Sequence, residues 1–231
     1  MAHATERSSE LRFADRAAAG RLLAAALADH AGDRDLVVLG LPRGGVPVAA
    51  QVAGALGAPL DVFVVRKLGV PGHEELGFGA VASGGVRVLD DRIVRELGLS
   101  PGIVERTTRR ELDEVRRRVT AYRGERPGVE VRDRTVIVVD DGLATGSTMR
   151  AAVEGIRAQG AARVVVAVPT GSWDACAGLA RHADDVVCLS TPDPFRAVGL
   201  WYDDFRAIPD EEVRAVLDRA AAGPPRTATS R

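Results

Sequence analysis

The chain of 231 residues carries 31 basic and 32 acidic side chains, a formal net charge of −1, so general nucleic-acid binding, which needs a basic face, is not expected. Hydrophobic residues at 46% and charged residues at 27% allow a buried core under a charged surface, as one large α/β domain or one domain with an appendage. Residues 1–10 lack a signal peptide, no run approaches the roughly 18 apolar residues of a spanning helix, and Cys176 and Cys188 read as buried thiols; a cytoplasmic protein without membrane partners is expected.

In chain order, residues 13–30 place Phe13, Leu22, Leu23, Ala26 and Leu27 at helical spacing, which predicts a first helix. A short buried strand over 36–41, a small-residue helix over 46–56 and a strand over 60–65 follow. Residues 81–89, interrupted by Ser83-Gly84-Gly85, predict a hairpin. Residues 91–97 and 103–122 are helical in pattern, and the arginine-rich stretch from Glu105 to Arg126 mixes both charges, as a solvated face or a dimer contact does. Apolar residues 136–139 form a strand, 149–158 a helix, 163–168 a strand, 173–182 a helix and 185–189 a last core strand. Residues 192–205 are irregular and aromatic, 211–220 are helical, and 223–231 read as a disordered tail. This alternation predicts a doubly wound parallel sheet with a small hood and C-terminal appendage. The expected division is a domain over 10–205 with a helical insertion at about 91–126, then a C-terminal helix over 206–222.

The densest chemistry lies in Val136-Ile-Val-Val-Asp140-Asp141-Gly-Leu-Ala144-Thr145-Gly146-Ser147-Thr148. A buried strand ends in two carboxylates, then a loop rich in glycine and hydroxyls opens a helix. Such acids can hold ribose hydroxyls or a hydrated magnesium ion. Backbone N–H groups and hydroxyls over Ala144, Thr145, Gly146, Ser147 and Thr148 suit a phosphate at a helix N-terminus. A ribose beside its own phosphate is the ligand implied.

This stretch resembles the signature by which type I phosphoribosyltransferases bind 5-phosphoribosyl 1-pyrophosphate (PRPP), except that Gly142 stands where an aliphatic residue is usual and is expected to loosen the turn. Two further segments fit the resemblance. Leu41-Pro42-Arg43-Gly44-Gly45 is a tight glycine turn with one cation; it looks like the family's pyrophosphate loop, which would put a cis peptide at Pro42–Arg43. Arg66-Lys67, followed by Gly69, Pro71-Gly72 and Glu74-Glu75, looks like the mobile loop that closes over PRPP, with a loop glutamate tied to the chemistry. The variant of the signature, with Ala144 and Met149, is nearest the adenine type.

The resemblance implies a magnesium-dependent transferase that moves the phosphoribosyl group to a small nitrogenous acceptor and releases pyrophosphate. Asp140, Asp141, Lys67 and Glu75 are the catalytic candidates, and Asp140 and Asp141 would meet magnesium through PRPP and water. Arg43, Gly44, Gly45, Arg66 and residues 144–148 would bind PRPP; Trp201, Tyr202 and Phe205 either stack on a base or pack the C-terminal segment. A homodimer is implied as well. A PRPP-sensing module without turnover is the alternative on the same fold.

Overall fold

A computed structural model describes residues 11–222; the expected tail over 223–231 lies outside them, as do residues 1–10. Five parallel strands form the central sheet. They are β1 (Leu36–Gly40), β2 (Leu60–Val62), β6 (Thr135–Val139), β7 (Arg163–Thr170) and β8 (Asp185–Ser190), in the order β2-β1-β6-β7-β8. Between β2 and β6 the chain builds a second, antiparallel sheet, the hood, from β3 (Val65–Val70), β4 (His73–Ala82) and β5 (Val86–Leu89). The doubly wound α/β expectation is met.

Strand periodicity builds the core. Val136 and Val138 of β6 enter one apolar cluster with helix α5 (Ser147–Ala158) and helix α6 (Trp173–Leu179), while Ile137 and Val139 enter a second cluster on the opposite face. That second face is covered by α1 (Arg16–Ala26) and α2 (Gly45–Leu56). Because both faces are buried, the strands read as continuous apolar runs rather than alternating ones. A third cluster joins the hood's Leu68, Phe78 and Val81 to α4 (Pro101–Arg123) and α7 (Asp210–Ala222). The hood therefore shares its core with the C-terminal helix. Between β5 and α4 lies the short α3 (Asp91–Glu96), capped by the Asp90 carboxylate, and Ser100 caps α4 ahead of Pro101.

Four expectations are corrected. The first helix begins at Arg16, capped by the Asp15 carboxylate, and Phe13 instead pairs in parallel with Tyr202; Leu22, counted on its apolar face, is 51% exposed. The expected strand over 60–65 breaks at Phe63 and Val64, which carry the chain from the central sheet into the hood. The expected mobile loop over 67–79 is largely the β3–β4 hairpin turning at Pro71-Gly72, with register irregularities around Gly69. Helix α6 stops at Leu179 rather than at His182. The hairpin through Ser83-Gly84-Gly85 is as expected, with Gly84 and Gly85 both at positive φ.

Candidate functional site

The expected acid pair and hydroxyl loop lie at the carboxyl end of β6, the end at which open α/β sheets generally bind ligands. At the end of β6, Asp140 accepts a hydrogen bond from the Asp141 N–H at 2.9 Å, so the first acid is oriented by the backbone of the second. The turn after β1 is pressed against this pair. A Cβ on Gly44 would fall on the Asp141 carboxylate, and one on Gly45 would sit 2.6 Å from the Val139 carbonyl oxygen. These glycines are demanded by close approach, and the Pro42–Arg43 peptide beside them is cis.

Asp141 is also gripped by Arg16, which the sequence did not single out, and by Tyr202. Arg16 Nε donates to its Oδ2 at 2.8 Å, and the two side chains are 9% and 15% exposed. Arg16 Nη1 donates to the Arg206 carbonyl at 2.9 Å, and the guanidinium lies 3.9 Å from the Phe205 ring centroid. The Tyr202 hydroxyl donates to the Asp141 carbonyl at 2.6 Å. Tyr202 packs between Phe13 and Phe205, with centroids 5.4 and 5.1 Å away. Tyr202 and Phe205 thus show the packing expected of this aromatic group. Burial raises the Asp140 carboxyl well above the usual range, and the neighbouring Asp141 adds to it. Burial also raises Asp141, with Arg16 opposing. The Tyr202 phenol is raised by burial and by Asp141.

The loop from Leu143 to Gly146 is fixed from both sides. Leu143 bridges in parallel to Gly171, and the Ser172 hydroxyl donates to the Ala144 carbonyl at 2.8 Å. Gly146, at φ 71, caps α5 without a side chain of its own; the Ser147 N–H makes a long, 3.5 Å bond to the Thr145 hydroxyl, and the next N–H groups of the first turn have no side-chain cap and suit an anion. Thr145 and Ser147 hydroxyls lie 3.1 Å apart at this mouth. The expected loosening at Gly142 is not observed: a Cβ there would lie 2.5 Å from Val198 Cγ1, so Val198 fills the space.

The other expected residues divide between two cavities flanking the hood. Lys67 and Glu75 line a cavity of about 490 Å³ together with Ser147 and Arg150 of α5. Arg66 and Lys67 line one of about 360 Å³ with Thr148. Neither cavity is lined by Asp140 or Asp141. Glu74 and Glu75 are successive residues of β4, and alternation sends them to the different cavities. Arg43 is half exposed and reaches Asp210 of α7 at 3.5 Å. Arg66, expected to meet PRPP directly, donates its Nε to Glu111 of α4 at 2.8 Å. Among the described residues no group of three or more His, Cys, Asp or Glu side chains could hold a metal, and no helix is long and apolar enough to cross a membrane.

The family model for the phosphoribosyl transferase domain matches residues 12–203. Two Mycobacterium tuberculosis proteins, from strains CDC 1551 and H37Rv, bear the name "Putative phosphoribosyl transferase"; each is 51% identical to this chain over 208 residues, 90% of it. The chain spans only 47% of their length. The crystal structure of TT1426 from Thermus thermophilus is 47% identical, covers 90% of this chain and 98% of its own, and superposes with a TM-score of 0.82.

Proposed function

Since the chain belongs to the phosphoribosyl transferase domain family, we propose that it transfers the phosphoribosyl group of PRPP to a nitrogenous acceptor and releases pyrophosphate in a magnesium-dependent reaction. The observation that carries this reading is one juxtaposition: a carboxylate pair at the end of β6 is joined by a short hydroxyl-bearing loop to a helix mouth that its N-cap glycine leaves without a side-chain cap. That order matches a ribose next to its 5′-phosphate.

In this reading the N–H groups and hydroxyls of residues 144–148 hold the 5′-phosphate. Asp140, oriented by the Asp141 N–H, receives the ribose hydroxyls and supports the positive charge that develops on the ring as the anomeric bond stretches. Asp141 acts with one oxygen already on Arg16, so its share is the smaller. Arg43 and the N–H groups of Gly44 and Gly45 meet the departing pyrophosphate. Lys67 and Glu75 lie on the hood, where closure over the ligand would exclude water. Magnesium fits the donor set: two carboxylates suit an ion that keeps several waters and takes its other ligands from phosphate, and Asp140 and Asp141 would hold it. When bound, it neutralises phosphate charge. The acceptor is a small base, with adenine the first candidate to assay, and a cytoplasmic homodimer is the assembly we propose.

The test is pyrophosphate release from magnesium-PRPP with pooled purine and pyrimidine bases, against a no-base control and the Asp140→Asn variant. Base-dependent release that the variant lacks supports transfer. PRPP binding without release under any base would instead make the chain a PRPP sensor.

A further inference from the structure

Helix α4 buries an unusual polar stripe toward the hood: Thr107, Thr108 and Glu111 are all under 9% exposed. Spacings of three and four residues put them on one helical face. Glu111 is the charged member, and a carboxylate so buried needs compensation. It receives two cations. Arg66 of β3 reaches its Oε2 at 2.8 Å through Nε and through Nη2, and Arg110 reaches Oε1 at 2.9 Å through Nε.

The two guanidinium groups exceed what one acid neutralises, and they lie at the wall of a cavity. The 360 Å³ space beside the hood is lined by Arg66, Lys67 and Arg110 against Glu74 and Glu111, three cations facing two carboxylates. Glu74 is partly occupied, since its carboxylate accepts the Gly72 N–H at 3.2 Å. Arg110 is 62% exposed and meets Glu111 through Nε, so the pair leaves its Nη donors unused. The larger cavity across the hood has the opposite balance: Lys67 and Arg150 stand against Glu75, Asp90, Asp91 and Glu154. An anion entering the hood is drawn to the smaller cavity, and Thr148, at the mouth of α5, closes that cavity's wall.

We infer that Arg110 and Arg66, fixed by the shared Glu111, form an oxyanion subsite that takes a carboxylate or phosphate group of a substrate. Within the transferase reading, on which the assignment of a source rests, that group is either the pyrophosphate of PRPP or an acidic substituent of the acceptor. Arg110 is then a binding residue supplied by the helical insertion, and Glu111 is a positioning residue that aims both forks.

Calorimetry of the full chain with inorganic pyrophosphate and with ribose 5-phosphate separates the sources, using Arg110→Gln, Arg110→Lys and Glu111→Gln. Loss of a charge-assisted contact predicts about tenfold weaker pyrophosphate binding in Arg110→Gln, unchanged ribose 5-phosphate binding, and partial recovery in Arg110→Lys. That result assigns the subsite to pyrophosphate. If pyrophosphate binding is unchanged but KM for orotate, a carboxylate-bearing base, rises about tenfold while KM for adenine does not, the acceptor is the source. Glu111→Gln should raise the same constant with kcat nearly unchanged. The proposal is overturned if Arg110→Gln melts like wild type and changes neither constant, or if wild type neither binds pyrophosphate nor uses an acidic base. Arg110-dependent pyrophosphate binding in a protein that never releases it from PRPP would sink the transferase reading and leave the subsite standing.

Discussion

The molecule solves one problem, a buried carboxylate, in two ways. At the carboxyl end of β6 Asp141 meets one arginine, and the buried Arg16 guanidinium is held further by the Arg206 carbonyl and the Phe205 face. Beside the hood Glu111 of α4 meets two arginines, and the more exposed of them keeps donors to spare. The first arrangement is closed, one acid against one buried cation. The second is open and cationic. A buried acid therefore says little about function until the donors around its partner are counted.

This contrast can be tested by removing its parts. The largest effect is expected for Arg16→Met, which leaves Asp141 buried without its cation and should cost about 3–5 kcal/mol in urea denaturation. A cost below about 1 kcal/mol would mean that water replaces the guanidinium freely and the pair is not closed. Next comes Asp140→Asn. It should abolish PRPP-dependent activity yet stabilise the fold by about 1 kcal/mol at pH 7, because burial and Asp141 oppose charge on Asp140. The sign with pH follows. In acid both states of wild type hold the proton, so the variant gains nothing; as pH rises through the raised folded value, wild type alone loses stability. Thermal melts from acid to neutral pH would read the gap, and a gap that does not widen would contradict the raised carboxyl.

Glu111→Gln should cost less than Arg16→Met, about 1 kcal/mol, since Arg66 and Arg110 can turn to water. Equal losses for the two variants would erase the distinction between closed and open pairs. The smallest effect belongs to Arg12→Ala. Its partner Asp203 is 2.9 Å away but both side chains are 64% exposed, so the melting point should stay within error.

How much was legible in the sequence follows from how local each pattern is. Strand β6, its two acids and the mouth of α5 are adjacent in the chain, and their apolar run and hydroxyl loop could be read directly. The hood was misread because glycine was taken as loop. Gly69 and Gly79 are strand residues whose Cβ atoms would lie 2.5 Å from the Glu74 carbonyl oxygen and 3.1 Å from Leu89 Cα, so they mark close backbone approach. Arg16 could not be found at all. It lies in an alanine-rich helix 125 residues from Asp141, and no spacing rule reaches that far. Glu111 was hidden among the charges of α4, where only burial separates it from its neighbours.

The pairing of Phe13 with Tyr202 has a temporal consequence. The Phe13 N–H donates to the Trp201 carbonyl at 2.9 Å, the Asp203 N–H donates to the Phe13 carbonyl at 2.8 Å, and this seam lets Tyr202 reach Asp141. These are among the longest sequence separations in the structure, and such contacts form late because the loop they close is large. During synthesis, β6 and the loop after it emerge well before residues 202–206, so a nascent chain lacks the clasp on its carboxylate pair. Ribosome-bound chains halted before Tyr202 should therefore be unable to consume PRPP, and competence should require residues 202–206 to have cleared the ribosome.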